Sequence, residues 1–408
     1  MSAAAEPLPH AFDDNLAKRN ARVLAVAQAL AGGNNTVIVS TASIVGSMLA
    51  PDKGLATLPV TGMVVGMWVG TLPLGWLARR YGRRNALQSG SLFGVLSGLV
   101  SYTAVMQGSF WLLILGTFFG GLYAAAHLSY RFAAADTASE RLRPKVVSWV
   151  LAGGVFAAVI GPQLVIFTKD ILSPYVFAAS YLGQSACAVL AAIVLGFVKV
   201  PPRRAAHHVD GMRPLAEILR MPRFVVAVAC GVVSYGVMNL VMTSAPLAMV
   251  GCGHSVTDAA LGIQWHVIAM YAPSFFTGSL IARFGVERIA GLGLLILAGS
   301  AVVAVAGLSV AHFWWTLILQ GIGWNFAFIG ATTMVTQCHR PEERTKVQAF
   351  NDFIIFGAMA VTSFSSGQFL ALFGWATLNE LVFPLVAVAG ALLVWLVMRK
   401  RAEAVAAV

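Results

Sequence analysis

Apolar stretches of about 20 residues, separated by short polar breaks, follow one another along almost the whole chain. A helix rises ~1.5 Å per residue, so each stretch is long enough to cross the ~30 Å hydrocarbon core of a bilayer. The pattern predicts twelve spanning helices, at roughly 23–49, 54–78, 85–106, 109–135, 146–168, 174–198, 223–249, 257–282, 289–309, 312–337, 347–371 and 379–398. Inside lipid every backbone N–H and C=O must be satisfied within the protein, and runs of this length do so as helices. The predicted fold class is therefore all-α integral membrane, with twelve transmembrane helices.

Composition agrees with the pattern and narrows it. Of 408 residues, 58% are hydrophobic and 11% charged, with mean hydropathy +0.80. That leaves no soluble domain to hold a catalytic centre, so no enzyme is expected. The basic residues gather in alternate breaks: Arg79, Arg80, Arg83 and Arg84; Arg141, Arg143 and Lys145; Arg283 and Arg288; Arg340, Arg344 and Lys346. The other side keeps Lys53 and Lys169. Such asymmetry places the basic loops, and with twelve spans both termini, in the cytoplasm of a bacterial inner membrane. It also accounts for the net charge of +11, so the basic balance implies the lipid bilayer and no nucleic acid as a partner. No signal peptide is visible in the polar first 22 residues, and the four cysteines are scattered without a disulfide framework. A monomer is expected.

The longest basic-side break divides the chain into a cytoplasmic segment 1–22, a six-helix half 23–198, a linker 199–222, a second six-helix half 223–398 and a cytoplasmic tail 399–408. The halves repeat. Gly75, Leu77, Arg80 and Gly82 recur 203 residues later as Gly278, Leu280, Arg283 and Gly285. Twelve spans with an internal repeat suit an alternating-access transporter whose substrate site lies near the membrane midplane. The run Gly75-x-Leu77-Ala78-x-Arg80-x-Gly82-Arg83-Arg84 resembles the signature loop of the major facilitator superfamily. The resemblance implies two pseudo-symmetric six-helix halves. One position departs, since Arg79 stands where the family has Asp. The resemblance also implies an inner gate: Arg79 paired with Asp352 of span eleven, and Arg83 with Asp136 at the end of span four. Gly161-Pro162 is a fragment of the family's antiporter motif, without its surrounding glycines.

The candidate chemistry lies in spans seven and eight. Met238 and Met242 are four residues apart, as are His266 and Met270, so each pair shares a helix face. An intramembrane histidine is a functional candidate by default. Thioether and neutral imidazole form a soft, uncharged set suited to Cu(I) rather than to hard cations. Packing is the competing reading for each methionine, and a satisfied structural role for the histidine. This MxxxM and HxxxM pair is similar to the motifs of the CcoA-like copper importers, a branch of the same superfamily. That resemblance implies that Met238, Met242, His266 and Met270 hold transported copper destined for cytochrome oxidase assembly. The repeat maps His266 and Met270 onto Met63 and Met67, which makes the latter a possible opposing wall. Cys230, Cys252 and His254 are candidates for the rest of a metal path, while His127, Asn35 and Asn325 are candidates for a proton or cavity site.

The expected function is secondary-active copper import, with no permanently bound cofactor. The expected partners are a copper ion or small copper complex and a cytoplasmic copper chaperone. Two alternatives stand beside it: a proton-coupled exporter of small organic molecules, with His127 and aromatics in its cavity, and uptake of a metal–chelate complex.

Overall fold

The computed structural model describes residues 13–135, 138–139, 142–199, 213–340 and 343–406. The first set of helices is α1 (Asp14–Leu49), α2 (Leu58–Tyr81), α3 (Arg83–Gln107), α4 (Phe110–Leu128), α5 (Tyr130–Ala135), α6 (Arg143–Thr168) and α7 (Ala178–Leu195). After the short α8 (Leu215–Leu219) come α9 (Pro222–Gly251), α10 (Val256–Tyr271), α11 (Ser274–Phe284), α12 (Val286–Ala306), α13 (Val310–Thr336), α14 (Arg344–Glu380) and α15 (Val382–Ala406). The described residues form helices and connecting loops, with no strand.

Ten helical stretches are long and apolar enough to cross a membrane, and α10 with α11 makes an eleventh span bent by 41°. The last stretch, 346–403, itself holds both α14 and α15. The spans follow the apolar pattern, with breaks inside the fourth and eighth and the remaining differences at the ends. α1 starts well before its apolar run because the Asp13 carboxylate accepts hydrogen bonds from the Asn15 and Leu16 amides, at 3.0 and 2.9 Å. Gly82 and Gly285, equivalent in the repeat, have φ of 85° and 89° and turn the chain between α2 and α3 and between α11 and α12. A side chain resists that conformation, so glycine is required at both corners.

Helices in lipid gain little from apolar burial against one another and rely on close approach. A Cβ added at Gly121 of α4 would lie 2.0 Å from the Met63 carbonyl oxygen of α2, and one at Gly321 of α13 would lie 2.6 Å from the His266 carbonyl oxygen of α10. The two sets of helices meet where α6 packs on α10, α2 on α14, and α1 on α9. On the face remote from the basic loops this meeting is sealed. Thr57 Oγ1 donates to the Ser363 carbonyl at 3.1 Å and accepts from the Gly367 amide at 3.1 Å. Thr61 Oγ1 reaches Ser363 Oγ at 3.2 Å, and Gln163 Nε2 donates to Gln264 Oε1 at 2.8 Å.

On the basic face Arg213, just before α8, grips Glu343 through its own amide at 3.0 Å and its guanidinium at 2.9 and 2.8 Å. The same guanidinium holds the Glu343 carboxyl well below the usual carboxylate range. The expected inner-gate pairs involve groups outside the described residues. The side chains of Arg79 and Arg83 and the whole of Asp136 lie outside the described residues. Asp352 accepts from Asn351 Nδ2 at 3.2 Å and lies in electrostatic reach of Arg131.

Candidate substrate cavity

A central cavity of about 100 Å³ lies between the two sets of helices. α1 contributes Gln28, Gly32 and Asn35, α2 contributes Met63 and Met67, and α4 contributes His127. From the other set come Tyr235, Met238, Asn239 and Met242 of α9, Met270 and Tyr271 of α10, and Met359 of α14. The volume is small beside the ~300–1,000 Å³ of most organic-ligand pockets.

The walls are soft and aromatic. Six methionines line the space: Met63, Met67, Met238, Met242, Met270 and Met359. Unbranched and polarisable, they adapt to an irregular or aromatic guest. Tyr235 is held from behind by Trp324 and Phe328, its ring edge-on to theirs at 5.2 and 4.9 Å. Trp324 and Phe328 in turn stack at 5.1 Å.

The polar groups divide into those already satisfied and those left open. Asn239 Nδ2 donates to the Met359 carbonyl at 3.0 Å and to Thr362 Oγ1 at 3.3 Å. Gln28 Nε2 meets His127 Nδ1 at 3.3 Å, while His127 Nε2 has no partner among the described residues. Asn35 Oδ1 is likewise buried without a partner among them. Arg131 lies in electrostatic reach of His127, Tyr235 and Tyr271, on the side of the cavity toward the basic face.

The sequence-predicted residues separate accordingly. Met238, Met242 and Met270 line the cavity together with Met63 and Met67. His266 does not join them. It is fully buried, its Nδ1 donates to the Leu317 carbonyl of α13 at 2.7 Å, and the cavity lining passes it by. Cys230 lies against the Ala389 carbonyl of α15 in an apolar cluster, with sulfur and oxygen 4.0 Å apart. Cys252 is exposed, and His254 Nε2 meets the Leu308 carbonyl at 2.7 Å, tying one loop to another.

Asn325 serves the break between α10 and α11. Pro273 supplies no N–H to the helix ladder there. Asn325 Nδ2 donates to the Met270 carbonyl at 2.6 Å and to Ser274 Oγ at 2.7 Å, and its Oδ1 accepts from Thr277 Oγ1 at 2.7 Å. Among the described residues no three His, Cys, Asp or Glu side chains gather into one group. Sequence reasoning missed Gln28, Tyr235, Asn239 and Met359. Gln28, a lone amide in an apolar run, carried a readable signal, whereas the others depend on which helix faces inward.

Comparison with known proteins gives a consistent picture. The Major Facilitator Superfamily profile matches residues 24–273 and 227–407 in two overlapping stretches. The chain is 49% identical over 399 residues to the riboflavin transporter RfnT of Brucella anthropi, covering 97% of this chain and 99% of that one. It is 27% identical over 398 residues to the uncharacterized MFS-type transporter YddS of Bacillus subtilis, covering 91% of each. Among solved structures, a D-xylose–proton symporter superposes with TM-score 0.73 at 13% identity, over 92% of this chain and 97% of that one. A bacterial homologue of the human lysosomal transporter Spinster, inward-facing and unoccupied, gives 0.65 at 17% identity, over 95% and 96%. At these identities the structural likeness speaks for the fold alone.

The relative at 49% identity overturns the copper expectation. Copper as cargo, a copper complex and a copper chaperone as partners, and the CcoA-like resemblance all give way to it. The physical reason is visible in the cavity. The methionine pairs form an adaptable wall, and His266, whose Nε2 is buried without a partner among the described residues, is not among the residues that line the cavity.

Proposed function

The chain belongs to the major facilitator superfamily, and from that premise we propose that it takes up riboflavin, or a flavin of the same build, by alternating access. One observation carries the reading: near-half identity, over almost the full length of both chains, to a riboflavin transporter. The cavity supports it. Thioether and aromatic walls suit a flat heterocycle, and open amide and imidazole groups suit its polar edges. The cargo class is thus a small organic molecule rather than an ion. The direction is inward across a bacterial inner membrane, with the basic loops cytoplasmic.

The sealed remote face is one end of the transport cycle. Parting Thr57 from Ser363 and Gln163 from Gln264 would admit substrate from the outside. The test is growth and uptake in a bacterial strain that neither makes nor imports riboflavin. Expression should restore growth on micromolar riboflavin and accumulation of radiolabelled vitamin. Correctly inserted protein that restores neither would overturn the proposal, and accelerated loss of preloaded vitamin would reverse its direction.

A further inference from the structure

Deepening the riboflavin reading and resting on it, we propose that the cavity reads a flavin at two separate poles. In this assignment Asn35 takes the imide edge of the ring, and the Gln28–His127 pair takes the hydroxylated side chain. The spacing comes from α1. Gln28 and Asn35 are seven residues apart on one helix. At ~1.5 Å per residue that is about 10 Å along the axis, roughly the span of an elongated ligand. Both residues line the cavity, with Gly32 between them.

Each pole has an open polar atom of definite character. Asn35 Oδ1 is an acceptor with no partner among the described residues. Its amide also offers N–H donors, so it complements an edge bearing an N–H beside a C=O, as asparagine does when it reads a base edge. Asn239, the other asparagine of the lining, cannot take this part because its donors are spent on Met359 and Thr362. In the repeat Asn35 corresponds to Met238, which puts its amide at the level of the methionine wall. A flat ring there gains thioether contact on its faces and Asn35 on its edge.

The second pole is His127, 5% exposed. With Gln28 Nε2 donating to Nδ1, the neutral ring carries its proton on Nε2. That N–H points to no described partner. It suits a hydroxyl oxygen, and Gln28, anchored to the same imidazole, holds the tautomer. A buried donor left unmade is costly. The pair therefore favours ligands that keep the hydroxylated chain over those that lack it.

Two analogues separate the poles. N3-methylriboflavin loses the imide N–H, and lumiflavin carries a methyl group in place of the ribityl chain. Each is used to compete with radiolabelled riboflavin for binding to the purified full-length protein. Wild type should bind each analogue about tenfold more weakly than riboflavin, the effect of one buried hydrogen bond left unmade. In Asn35→Leu the N3-methyl penalty should vanish while the lumiflavin penalty stays. In His127→Phe the reverse should hold. Asn35→Ser and His127→Asn answer the same question if a larger change fails to fold. Both penalties surviving in Asn35→Leu, or the two variants exchanging roles, would overturn the assignment while leaving riboflavin as substrate. No flavin binding or uptake by folded wild type would instead defeat the functional reading on which the assignment rests.

Discussion

The second and eighth spans are equivalent in the repeat, yet they use equivalent positions differently. Met63 and Met67 of α2 both line the cavity. Of their counterparts 203 residues on, Met270 lines it, whereas His266 is held by the Leu317 carbonyl of α13. α2 runs unbroken through Pro73, while the eighth span bends by 41° between α10 and α11. The contrast teaches that a four-residue spacing puts side chains on one face without saying what that face meets. Two residues one turn apart still diverge when a neighbouring backbone offers one of them an acceptor.

The largest effect that would test this contrast is at the glycines admitting the two spans. Leucine at Gly121 or at Gly321 would drive a side chain into the backbone of α2 or α10. Each should cost at least the upper end of the ~1–3 kcal/mol of ordinary overpacking. Size-exclusion profiles and thermal melts in detergent should show loss of stable monodisperse protein for both. If only one variant suffers, the two spans are not seated alike.

Next in size is the bend. Asn325→Leu would take the amide partner from the Met270 carbonyl and the Ser274 hydroxyl, at roughly 1–3 kcal/mol for a buried polar group left unmade. Its equivalent in the first half is Leu122, beside a span that needs no such support. Asn325→Leu should therefore lower the melting temperature clearly, and Leu122→Ala should not affect the helix ladder of α2. Equal hydrogen-exchange rates around Met270 in wild type and Asn325→Leu would refute the bracing role.

A smaller effect separates the paired residues themselves. Met67→Ala and Met270→Ala should each raise the KM for riboflavin about three- to tenfold through lost contact with the guest. His266→Leu should leave KM within about twofold and reduce stability by ~1 kcal/mol through its lost hydrogen bond. A KM rise in His266→Leu larger than in Met270→Ala would place the histidine on the substrate path after all. The smallest effect belongs to Met63→Leu, which nearly conserves volume and should change uptake less than about twofold.

Much of this was readable in advance. The apolar runs located the spans because hydrocarbon thickness imposes their length, and errors collected at ends set by caps such as Asp13. The repeat was legible from Gly82 and Gly285, whose left-handed backbone explains why glycine recurs there. The cavity residues were legible in part: Met63, Met67, Met238, Met242, Met270, His127 and Asn35 all line it. Their chemistry was misread. Methionine is at once a soft ligand and an adaptable packing residue, and spacing alone does not distinguish the two.

The sequence by itself determined that this is a helical membrane protein of two related halves with intramembrane Met, His and Asn side chains. Those properties follow from local periodicity and from the cost of polar groups in lipid, which each segment carries wherever its neighbours lie. Tertiary structure alone decided which of those side chains share a space. His266 stands outside the lining, bonded through Nδ1 to an α13 carbonyl at 2.7 Å, and Asn325 left it because a proline-broken helix needed its amide. Tyr235, Asn239 and Met359 entered it because α9 and α14 turn them inward against the first half. Partnership between helices is a property of their packing angle and rotation, and no single helix encodes either.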